Sequence, residues 1–98
     1  MSTYLALGSH TVEAKQEITA MPDWHDRMAD QLADLGGELL DVYHGNILEY
    51  DAAIVFELPS DVPGEQARLL LEDDGTHEFV VSEVFSPAEY DDLVAALE

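Results

Sequence analysis

The chemically versatile side chains in this 98-residue chain are its four histidines, His10, His25, His44 and His77. An imidazole titrates near neutral pH, moves protons and ligates metals in its neutral form. His10 and His44 close two apolar runs, while His77 opens another and Tyr50 and Asp51 open a fourth. If the first two runs are strands parallel to each other and antiparallel to the other two, His10, His44, Asp51 and His77 gather at one edge of a sheet. Glu49, Tyr50, Asp73 and Glu78 lie nearby in sequence. Such a mouth supports two readings: a divalent metal held by nitrogen and oxygen ligands, or proton transfer by one histidine to a small substrate, with Asp51 or Tyr50 orienting it. The second assigns His10, His44 and Asp51 to catalysis and Tyr50, Trp24, Met28 and His77 to ligand contact. Each has a plainer role as well. Asp51 can accept backbone hydrogen bonds and hold a hairpin, Tyr50 can anchor the sheet edge or a dimer seam, and Trp24 and Met28 sit at core spacing. His25, on the helix that carries Trp24, reads as a surface or packing residue. No metal motif of defined spacing, phosphate loop or nucleophile elbow occurs, so no metal or cofactor is expected.

The elements that must position these residues are legible from hydrophobic period. Thr3 to Gly8 reads as a strand, and Thr11 as the cap of a short helical segment through about Thr19. Asp23 starts a helix in which Trp24, Met28, Leu32 and Leu35 follow a 3.6-residue period, ended by Gly36 and Gly37. Glu38 to His44 and Asp51 to Leu58 read as a hairpin around Gly45 and Asn46. A weaker helix from Asp61 carries Val62, Ala67, Leu70 and Leu71. Glu78 to Phe85 is the last strand. Ser86-Pro87-Ala88-Glu89 then combines a capping serine, an N1 proline and an N3 glutamate, opening a helix striped by Tyr90, Leu93, Val94 and Leu97.

This β-α-β-β-α-β order with a terminal helix, all within one domain, is the split βαβ arrangement of a ferredoxin-like sandwich. Right-handed crossovers put both inner helices on one face of the sheet. The other face should be polar if wet, yet Ala52-Ala53-Ile54-Val55-Phe56 is apolar on both sides and Phe79-Val80-Val81 repeats the pattern. The terminal helix and a second subunit stacked sheet to sheet are the expected cover, so a homodimer is predicted.

Several segments resemble the GYD-domain family of small proteins: Thr-Tyr-Leu-Ala-Leu-Gly at 3–8, Leu35-Gly36-Gly37-Glu38-Leu39, Glu49-Tyr50-Asp51 with Ala-Ala-Ile-Val-Phe-Glu at 52–57, and Phe85-Ser86-Pro87-Ala88-Glu89. Tyr50 and Asp51 match the family's Gly-x-Tyr-Asp signature, and Leu48 stands at its glycine position. The resemblance implies a dimeric α+β barrel of ferredoxin-like fold. Most members of that family have no established activity, and the expectation for this chain is a small homodimeric protein: either a non-enzymatic module for a ligand or protein, or a cofactor-free enzyme, monooxygenase- or isomerase-like, acting on a small apolar molecule.

Charge excludes more than it identifies. Asp and Glu number 22 against 3 Lys and Arg, a formal charge of −19. Nucleic acid and anionic membrane surfaces are excluded as partners because phosphate neutralisation needs clustered cations. Absent cysteines remove disulfide scaffolds and thiolate chemistry. No apolar run approaches the roughly 20 residues that span a bilayer, and no signal-like segment opens the chain, so a soluble cytoplasmic protein is expected. An apolar share of 47% argues against disorder. A folded core under so acidic a coat repels itself in dilute salt, whereas near 1 M salt the screening length falls to roughly 3 Å. Adaptation to high salt is the expectation, with an acidic surface for one cationic partner as the alternative; on the first, the melting temperature should rise steadily as KCl is raised from ~0.1 M to ~1 M, and scanning calorimetry that finds no change over that range overturns it.

Overall fold

The computed structural model describes residues 1–11, 24–73, 75 and 77–97. The helical segment expected from Thr11 to Thr19 lies, past Thr11, outside the described residues. Four strands, β1 (Ser2–His10), β2 (Glu38–Ile47), β3 (Tyr50–Leu58) and β4 (His77–Val84), and three helices, α1 (Trp24–Asp34), α2 (Gly64–Glu72) and α3 (Pro87–Ala95), follow the predicted order. The strands form one antiparallel sheet in the order β2-β3-β1-β4, the ferredoxin-like arrangement.

Period 2 puts Tyr4 and Ala6 of β1 opposite Phe56 and Ile54 of β3, with all four buried. Beneath them, α1 contributes Trp24, Met28 and Leu32, one stripe at 3.6-residue spacing, and α2 contributes Ala67 and Leu71. Both inner helices therefore cover one face. Helix α1 ends as predicted: Gly36 takes φ 81°, and the Gly37 N–H reaches back to the Leu32 carbonyl at 2.9 Å.

The barrel implied by the family resemblance does not form. The sheet is open, with β2 and β4 as edges on opposite sides, and a closed sheet would need those two strands to hydrogen-bond to each other. Instead the outward Phe79 N–H of β4 is satisfied by the Glu72 carboxylate of α2 at 2.8 Å. A helix side chain thus caps the edge that closure would have to use.

Three further expectations change. Helix α2 starts at Gly64 and not Asp61, because Pro63 is extended (ψ 146°) and serves as its N-cap residue; the residue before a proline is itself turned away from helix. The β2–β3 turn is not at Gly45 and Asn46. Those residues fall in a register shift between His44 and Ile47, a bulge inside β2, and Ile47 pairs directly with Tyr50 across the two-residue turn Leu48-Glu49. Helix α3 forms with the expected capping box, Glu89 N–H to Ser86 Oγ at 3.1 Å and Ser86 N–H to Glu89 Oε1 at 2.9 Å, but it buries no residue. Its stripe of Tyr90, Leu93, Val94 and Leu97 stays exposed, so it does not cover the second face of the sheet.

Leu48 has φ 58° at the first central position of the turn, where a mirror-image hairpin turn favours glycine. It is 83% exposed and packs on little. An L-residue pays about 1–2 kcal/mol in this conformation, against about 0.4–1 kcal/mol for glycine's extra unfolded-state freedom. Leu48→Gly should therefore raise stability by about 0.5–1 kcal/mol, read as a higher urea midpoint at constant slope; a lower midpoint would refute the strain.

Candidate functional site

Three of the four histidines, His25, His44 and His77, surround Trp24 at one end of the sheet, and the fourth, His10, meets His77. Parallel β1 and β2 finish there, and β3 and β4 begin there. His10 lies directly opposite His77 in the β1–β4 ladder, and their rings meet edge to face at 4.5 Å. His77 is 1% exposed. Its ring stacks on the Trp24 indole at 4.1 Å, tilted by 18°, and faces Phe79 at 5.5 Å on the same side of β4. Gly8, two residues before His10, makes room for this stack: a Cβ there would lie 2.6 Å from Cε1 of Phe79.

From the other side, His25 in the first turn of α1 and His44 in β2 flank the indole, with ring centroids 5.4 and 5.5 Å from it. Their Nε2 atoms are 2.7 Å apart. One ring must donate and the other accept, so a neutral pair holds one Nε2 proton between them. Burial holds the His44 pKa below its ordinary value, and the neighbouring positive charges of His25 and then His10 lower it further. His44 thus favours the neutral form at neutral pH.

Asp51 accepts the His10 backbone N–H at 2.9 Å, and its carboxylate lies 4.0 Å from His10 Nδ1. It ties the end of β1 to the start of β3, a bond between neighbouring strands and not one within the β2–β3 hairpin. Tyr50 lies apart from the indole cluster. It lines a concavity of about 320 Å³ with Ser9, Arg68, Glu72, Glu78, Phe79 and Val80. Neither His10 nor His44 lines this concavity, and Trp24 and Met28, 2% and 1% exposed, belong to the core. Arg68 brings no free positive charge to it. Its guanidinium is held by Glu65 three residues before and by Glu72 four residues after, which raises the Arg68 pKa and lowers that of Glu65.

The structure thus assembles His10, His44, His77, Asp51 and Trp24, and leaves Tyr50 and Met28 outside the imidazole cluster. His25 is the member the sequence reading set aside. It is exposed, as a surface residue is, and its ring also packs on Trp24 and meets His44. Because Trp24 and His25 sit in the first turn, beside the end of β2, both rings reach the sheet. Among the described residues no group of three or more His, Cys, Asp and Glu side chains converges as a metal site. None of the described helices is long and apolar enough to cross a membrane.

Strand order and helix placement define a small open-sheet α+β domain. The GYD domain pattern matches residues 4–94, and the chain belongs to the GYD domain family. A comparison with curated proteins finds no match.

The lowered His44 pKa has a stability consequence. Below the ordinary histidine value of 6.5 the unfolded chain takes up this proton before the folded one does, so His44's contribution is complete above that pH and is lost as pH falls through the folded-state value. By proton NMR, His44 should titrate below 6.5, and His25→Ala should move its midpoint upward by removing one of the charges that depress it. A midpoint above 6.5, or a downward move in the variant, would contradict the arrangement.

Proposed function

We propose that the protein is a non-enzymatic binding module that works as a homodimer, two copies meeting through the sheet face that the helices leave uncovered. One observation carries the reading: that face is apolar at its centre. Leu5 and Leu7 of β1, Ala53 and Val55 of β3 and Val80 of β4 share it by register, and Tyr43 of β2 extends it. Val80 is 55% exposed and Tyr43 59%. The exposed stripe of α3 adds to the apolar surface left open. A contiguous patch of this kind, rimmed by Asp41, Glu57 and Glu78, has the core-and-rim composition of a protein interface. The concavity beside Tyr50 offers a small ligand the aromatic side chains of Tyr50 and Phe79 and polar anchors from Ser9 and Glu78.

A second reading, a cofactor-free enzyme acting on a small apolar molecule with His10 and His44 as acid and base, draws support from the lowered His44 pKa at an exposed position. The ligand-sized concavity speaks for the module, because neither histidine borders it. His10→Ala and His44→Ala variants that keep every binding activity and lack only a turnover found in the parent would favour the enzyme.

In molar salt, light scattering should give twice the 10.8 kDa chain mass. Val80→Asp places a carboxylate on the β4 side of that face, beside Leu7, where an isolated chain leaves the side chain half in water. It should weaken dimerisation by about tenfold or more with unchanged circular dichroism. A parent protein that scatters as a monomer at micromolar concentration overturns the proposal.

A further inference from the structure

His25 at the start of α1 and His44 in β2 are both exposed, and their Nε2 atoms approach to 2.7 Å. A hydrogen bond accounts for that separation when one ring donates. It is also the bite of a chelate. Two nitrogen–metal bonds of about 2.0–2.1 Å meeting at a right angle put the nitrogens about 2.9 Å apart, whereas a tetrahedral angle puts them about 3.4 Å apart. The observed spacing lies on the square side, the geometry of Cu(II) and Ni(II) sites and not that of structural zinc.

The two donors are set by separate parts of the fold. His44 is fixed by pairing with Ala52 across the β2–β3 ladder, and His25 by the buried Trp24 beside it. The indole lies against both rings and limits their motion. Two imidazoles held on different elements lose little freedom when an ion arrives. The partial positive charge at the start of α1 opposes a cation, but Asp26 stands in that first turn and the formal charge of the chain is −19. No third His, Cys, Asp or Glu among the described residues completes a cage, so the remaining positions fall to water or to an incoming oxygen donor.

We infer that His25 and His44 form a two-imidazole chelate for a divalent transition ion of tetragonal preference, with Cu2+ bound most tightly in keeping with the general affinity order of such ions. This site is separate from the sheet face proposed for dimerisation.

Untagged protein in molar KCl, with excess Mg2+ to occupy carboxylates, is titrated with Cu2+ and followed by electron paramagnetic resonance. The expected result is one Cu2+ per chain whose spectrum carries splitting from two imidazole nitrogens. His25→Ala and His44→Ala should each weaken binding by about tenfold or more, and His10→Ala should leave the spectrum unchanged. His25 is exposed, so if His44→Ala fails to fold, His25→Ala alone decides. Coordination by oxygen only, a site that persists unchanged in His25→Ala, or a site lost with His10→Ala in place of His25→Ala overturns the inference.

Discussion

Strand β1 carries no side chain at Gly8, and the ring of Phe79 takes that space. This contact sets the geometry of the whole histidine end. With Phe79 lying over the strand, His77 two residues earlier stacks against both it and Trp24, and the indole in turn stands between the His10–His77 pair and the His25–His44 pair. A methyl group at position 8 would meet a ring already packed on its other side, so the adjustment would pass through the stack to the indole. The antiparallel ladders do the rest. They bring the last residues of β1 and the first of β4 to the same level, which is why residues 67 apart in sequence, His10 and His77, share an edge-to-face contact.

That convergence was legible before any coordinates, because it depends only on strand direction, and direction follows from the order of elements. Local detail was legible where one residue type has one use. Ser86, Pro87 and Glu89 spell out a capping box, and it forms. The bulge was hidden because Gly45 and Asn46 serve a bulge as well as a turn, and the signal against them, Leu48 in a conformation that L-residues avoid, is invisible to any rule that associates such turns with glycine. Barrel closure failed for a different reason. It depends on what the edge strands pair with: β2 and β4 each pair on one side only, and one outward donor of β4, the Phe79 N–H, goes to the Glu72 carboxylate. His25 reads from the sequence as a surface or packing residue and is both exposed and packed on Trp24; what helical period does not show is its partner, His44, 19 residues away on β2.

The apolar stripe of α3 shows the limit of periodicity from the other side. Its spacing is amphipathic, yet none of the described residues buries it. A nine-residue helix is too short to be stable in water by backbone hydrogen bonds alone, and its capping box satisfies only the amino-terminal donors. Its stability therefore falls to whatever covers Tyr90, Leu93 and Val94, and the uncovered half of the sheet presents the same requirement within the same molecule.

Charge decides how those requirements can be met. The acidic residues on the uncovered face stand at its margins, Asp41 on the β2 edge, Glu57 toward one end and Glu78 toward the other, while Leu5, Leu7, Ala53 and Val55 hold the middle. Bringing two such faces together stacks apolar centre on apolar centre and sets acidic rim against acidic rim. The first effect is of short range and is strengthened by salts that are excluded from protein surfaces. The second is Coulombic and decays over the screening length, roughly 10 Å at 0.1 M salt and 3 Å at 1 M. Salt therefore works on both terms to the same end: it favours the contact and removes the repulsion. The acidity that gives this sequence its first impression of a chain repelling all company is, in concentrated salt, a screened rim around an apolar centre.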